Sequence, residues 1–233
     1  MPKVRFHINK SLDKLIALQF INEKGGGIDF GRNIIKTHPC LKVAKINTTW
    51  RKIIVNKYFD IFYTRHKKEI ISRLNFTKEG WENVEQDYLE ATEKVFNGYH
   101  FPDGIFTAYI SIINCNPRFL DSNSFQFFYK KKEGDALCTV AHELLHFIFF
   151  EFVKKNMAHD IKKISEDNLW DLSEIFNVII LRSAAYRNII DSKYVKPYPN
   201  HKKYIRFIEN SYKKQHNIEL FIRGAIKYLN RQK

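Results

Sequence analysis

The chain has 233 residues, 44% of them apolar and 15% aromatic, so it can bury a sizeable core and is too rich in rings to be disordered. Its 39 Lys and Arg outnumber 25 Asp and Glu, a balance of +14 that points first to nucleic acid or another anionic surface. No unbroken run of 18 apolar residues exists and the charged N-terminus lacks a secretory h-region, so the sequence argues against a membrane span and a secretory signal.

Val4 to Ile8 alternates as a short strand and leads into a helical stretch around Leu12 to Ile21. Gly25–Gly27 is a flexible turn; without GKS, GKT or GxGxxG around it, it is weak as a phosphate cradle. A long helical pattern starts near Thr48 or Thr49, plausible caps, and runs to about Leu74. A second runs from about Thr77, read as a cap, to Phe96. The period then changes: Ile105 to Ile113 and Phe125 to Lys130 read as strands joined by a turn-rich segment. A helix follows to about Lys155, and another spans about Leu169 to Ala185. After the Pro-interrupted loop KYVKPYPNHKK come two further helices, from about His201 and His216. Three cysteines without CxxC spacing argue against a disulfide framework and for a reducing, cytoplasmic setting.

The helix after the second strand contains HELLH: His142, Glu143 and His146. Histidines four apart share a helix face and can both reach one zinc ion. Glu143 beside them is placed as general base on a zinc-bound water. Leu137, Val140, Leu144, Leu145 and Ile148 line the opposite side, while Phe149, Phe150 and Val153 extend the ligand side. A helix apolar on both faces is buried, where two histidines and a glutamate need a metal or polar partners. The third ligand expected is Glu174, a carboxylate inside the apolar pattern NLWDLSEIFNVIIL; His159 is the runner-up. Cys138 shares the histidine face, but eight residues of helix span about 12 Å, too far for one zinc to take both Cys138 and His146.

Together, strand FQFFYK, HELLH, 27 intervening residues and Glu174 resemble the gluzincin metallopeptidases, and their small single-domain minigluzincin members most. The resemblance covers about residues 95–210. It implies a helix-rich α+β zincin-like fold, with a small mixed or antiparallel sheet, a buried HExxH helix and a later glutamate-bearing helix. It implies that His142, His146 and Glu174 bind Zn2+, that Glu143 is base and then acid, and that the substrate is a peptide or protein. It also implies that Phe125, Gln126, Phe127 and Phe128 form a rim on which an extended substrate pairs by strand addition. Thermolysin-like relatives carry a carboxylate one turn after the glutamate ligand; this chain has Val178 there. Asn177 or Asp171 is the expected substitute for orienting a zinc histidine. Tyr198 and His201 are the candidate donors to the oxyanion, ahead of Tyr194 and Tyr204.

The charge is unevenly spread. Residues 1–80 form a basic, α-rich portion at +11, residues 81–200 the catalytic core at −4, and residues 201–233 basic helices at +7, all within one expected domain. That split suggests a tail folded over the cleft of a latent enzyme. The competing function is a basic, nucleic-acid-associated protein with a structural or inactive zinc site, although no nucleic-acid-binding motif is visible.

Overall fold

A computed structural model describes residues 2–214 and 217–231. It is helix-rich with a small mixed sheet, an α+β arrangement, and it divides into two compact units.

The first unit comprises Lys3–Glu82 and Ile105–Val140. Its elements are β1 (Lys3–Ile8), α1 (Lys10–Phe20), β2 (Lys24–Gly25), β3 (Ile28–Asp29), α2 (Phe30–Thr37), α3 (Lys42–Ile46), α4 (Arg51–Arg65) and α5 (Lys67–Glu82). After residues 83–104 of the other unit come β4 (Ile105–Ser111), β5 (Arg118–Phe119) and β6 (Ser124–Phe128). The strands run in the order β1-β4-β6-β5. β4 pairs in parallel with β1 and β6, and β5 closes the sheet antiparallel to β6. Parallel neighbours need a crossover connection. That explains why the two strongest strand patterns, joined by a turn-rich segment, are not a hairpin. The glycine turn joins β2 and β3 antiparallel, with Gly26 at φ 58° and Gly27 at φ 84°, conformations that favour glycine.

Three helix boundaries differ from the sequence expectation. Thr77 is no cap: it lies inside α5, and its hydroxyl donates to Arg73 O at 3.0 Å. Nor do Thr48 or Thr49 cap α4; Asn47 Oδ1 accepts the Trp50 N–H at 3.0 Å. The expected first long helix breaks at His66, which carries no glycine or proline signal.

Asp13 anchors this unit. It is fully buried on α1, and its Oδ1 accepts from Gln126 Nε2 at 2.6 Å. Its Oδ2 accepts from Tyr63 OH at 2.7 Å and from Ile112 N–H at 2.8 Å. One carboxylate thereby ties α1 to α4, to the end of β4 and to β6. Burial pushes its pKa up to about 6, against the pull of these donors. Beside it, His38 bridges Ile112 O at 2.6 Å and Tyr58 OH at 2.7 Å. Burial holds that imidazole below its ordinary value, favouring the neutral form that donates from one nitrogen and accepts at the other.

The second unit comprises Asn83–Gly104 and Ala141–Lys233, with Pro2. It contains α6 (Glu85–Val95), the larger part of α7 (Glu133–Asn156), α8 (Ala158–Ile161), α9 (Glu166–Leu181), α10 (Lys202–Lys214) and α11 (Ile218–Asn230). α7 is long and apolar enough to cross a membrane, but 78% of its most apolar window is buried inside the protein, as in a core helix. On α9 every residue from Leu172 to Leu181 is buried. Phe176 centres the aromatic core, with ring centroids 4.8 Å from Phe149, 5.7 Å from Phe96 and 6.0 Å from Phe221. Tyr88 OH donates to Ala141 O at 2.8 Å and steadies α7 from α6. Both C-terminal helices are part of this core: Ile205 and Ile208 on α10, and Phe221, Ile222 and Leu229 on α11, are buried. Truncation after Asn217 would therefore strip a core helix. The expected start at His216 lies outside the described residues; the described helix begins at Ile218, capped by Asn217.

Candidate metal centre

The potential ligands come from two helices of the second unit. On α7, His142 and His146 are one turn apart, with ring centroids 4.8 Å apart. On α9, Glu174 is buried and faces both. His142 Nε2 lies 3.0 Å from Glu174 Oε2, His146 Nε2 lies 3.3 Å from Glu174 Oε1, and the two Nε2 atoms are 3.1 Å apart. One donor atom from each residue lies within 4.8 Å of the others, and the described residues hold no other such group.

These distances suit a cation better than a proton network. A carboxylate only accepts hydrogen bonds, so both contacts with Glu174 need an N–H at Nε2. Two such N–H groups cannot also hydrogen-bond to each other across 3.1 Å. A metal ion instead accepts all three lone pairs at once. Donors bound tetrahedrally to zinc lie about 3.3 Å apart, close to the separations here. Burial alone raises the Glu174 carboxyl, but the imidazoles, His146 foremost, outweigh it and hold it well below the usual carboxylate range. His142 keeps partial exposure, whereas His146 has none.

Glu143 follows His142 on α7 and is buried. Asn177, one turn after Glu174, donates from Nδ2 to His142 O at 2.9 Å, so it grips the backbone of a ligand rather than an imidazole. Asp171, one turn before Glu174, accepts from His201 Nε2 at 2.7 Å. His201 is fully buried, and its Nδ1 has no hydrogen-bond partner among the described residues. Its ring lies 5.4 Å from Tyr198 and 5.5 Å from Trp170, and those two lie 5.3 Å apart. Trp170, next to Asp171 on α9, belongs to this cluster, and that adjacency in NLWDLSEIFNVIIL is the sequence signal for it.

The remaining candidates fall elsewhere. His159 sits exposed on α8 and is no member of the ligand group. Cys138 is buried and is no member of the ligand group. Val178 is buried and offers no carboxylate. In the first unit, Phe125, Gln126, Phe127 and Phe128 are all buried on β6, and the Gln126 amide is engaged by Asp13. β5 pairs with β6 at Ser124 and Phe125, and Gln126 N–H donates to Pro117 O. On that edge β5 and Pro117 therefore already pair with the backbone of residues 124–126.

Comparison with protein-family models, with curated proteins and with solved structures yields no match.

Proposed function

We propose that this protein is a zinc-dependent metallopeptidase with a zincin-like fold. The observation that carries the reading is the convergence of His142 Nε2, His146 Nε2 and the Glu174 carboxylate, 3.0 to 3.3 Å apart, beside Glu143 of an HExxH helix. These three residues would hold the metal. Bound zinc supplies Lewis acidity, polarising a carbonyl and making water more acidic. A structural zinc needs four protein ligands; a group of three among the described residues supports a catalytic site.

The chain's own groups account for the proton movements. Glu143, as a carboxylate, takes a proton from the attacking water and passes it to the leaving amine. Asn177 fixes the His142 carbonyl and so the register of α7 against α9. Asp171 orients His201 through Nε2. With that nitrogen donating to Asp171, only the imidazolium form of His201 has a second N–H, at Nδ1, for an oxyanion. Tyr198, packed on the same ring, offers a hydroxyl for that role.

The test is Glu143→Gln, assayed on a mixed peptide pool alongside metal content. Cleavage should fall about 10²- to 10⁴-fold, with one zinc per chain retained. Undiminished cleavage by the variant, or no chelator-sensitive cleavage by the wild type, would sink the peptidase reading.

A further inference from the structure

Residues 30–59 contain seven Lys and Arg side chains and no Asp or Glu. This stretch holds α2, α3 and most of α4. Four large apolar side chains stand out of it into solvent: Val43 (57% exposed), Ile46 (73%), Trp50 (56%) and Ile53 (56%). Val43 and Ile46 lie one turn apart on α3, and Trp50 and Ile53 lie three residues apart at the start of α4, so the pairs flank the α3–α4 corner. The inward side is separately filled, by Leu41, Ala44, Val55 and Phe59, all fully buried. The exposed four are therefore surplus to the core.

The corner that carries them is fixed. Arg51 Nε donates to Ala44 O at 2.9 Å and Nη2 to Lys45 O at 3.3 Å, which satisfies the carbonyl end of α3. Asn47 Oδ1 holds the Trp50 N–H. Lys42, Lys52 and Lys57 are exposed on the same elements.

We infer that the α3–α4 corner is a docking surface for an anionic lipid bilayer. Ile46 and Trp50 would enter the boundary between headgroups and acyl chains, with Val43 and Ile53 flanking them. The lysines would meet lipid phosphates and carboxylates. Charge complementarity selects this partner: a stretch at +7 is drawn to an anionic leaflet and repelled by a second copy of itself. The aliphatic side chains select it over nucleic acid, which binds cations and flat rings and gains little from Val43, Ile46 and Ile53. Trp is also the residue favoured where an apolar phase meets water. Such a contact lies on the membrane and needs no spanning helix.

The experiment is co-sedimentation of the full-length chain with phosphatidylcholine vesicles, with and without about one-third phosphatidylserine. Binding should require the anionic lipid and weaken with salt. The double variant Ile46→Ser/Trp50→Ser should bind about tenfold more weakly or worse, since buried apolar area sets interfacial affinity. Lys42→Glu/Lys52→Glu should remove most of the salt dependence. All four positions are exposed, so an unchanged circular dichroism spectrum is the folding control. Brominated lipid should quench the wild type more than Trp50→Ser. The inference is overturned if the wild type stays in the supernatant, or if the apolar variant binds equally well. It is also overturned if the apolar variant instead loses binding to an oligonucleotide, or loses a dimer formed by the wild type.

Discussion

Glu174 is the third of ten consecutive buried residues on α9, where an isolated carboxylate is expensive. Its two oxygens face two imidazole nitrogens at 3.0 and 3.3 Å. Glu174→Gln keeps the shape and one acceptor but removes the charge that a divalent cation needs. Zinc affinity, measured by competition with a chromophoric chelator, should fall by more than the 10- to 100-fold usual for outer-shell partners. A drop smaller than tenfold would show that Glu174 is no ligand. At this scale much of the site was legible in the sequence, because HELLH and a carboxylate within an apolar helix each break the burial rule in a way a metal repairs. The Asp171–His201 bond was not legible as a pair. Thirty residues separate the partners, and only the packing of His201 against α9 joins them.

α1 is tied to the rest of its unit through one buried side chain, Asp13. Asp13 looks like an ordinary first-turn helix acid, yet it is buried and joins four segments by accepting from Tyr63, Ile112 and Gln126. Its pKa is raised from 3.8 to about 6, burial being the largest cause. The folded chain therefore holds this proton more tightly than the unfolded chain does. Its contribution to stability is greatest below pH 4 and is lost as the pH rises to about 6, by up to about 3 kcal/mol. Urea denaturation of wild type and Asp13→Asn between pH 4 and 7 should isolate this component. The difference between their stabilities should change across that window and level off above it; a constant difference would show that Asp13 does not titrate there. Helix and strand types were largely readable from periodicity, but connections were not. The parallel pairing of β1 with β4 joins segments about a hundred residues apart in sequence, which no local periodicity reports. The α4–α5 break at His66 has neither Gly nor Pro to announce it.

At the scale of the whole chain, the charge and the chemistry are separate in sequence. The acid-free stretch 30–59 belongs to the unit that contains the sheet, whereas His142, His146 and Glu174 all belong to the other. A metal that binds only the folded site stabilises whatever must open to release it, by about 2.7 kcal/mol at a hundred times its Kd. Amides whose exchange requires that opening should slow by up to about 100-fold with zinc. The prediction for hydrogen exchange read by mass spectrometry is therefore local. Peptides from α9 and from α7 beyond Ala141 should gain protection over the chelator-treated protein, while those from β1, β4 and β6 should change little. Equal gains throughout the sheet would show that both units open in one cooperative step. No gain in α9 would show that zinc, if bound, is held by other residues.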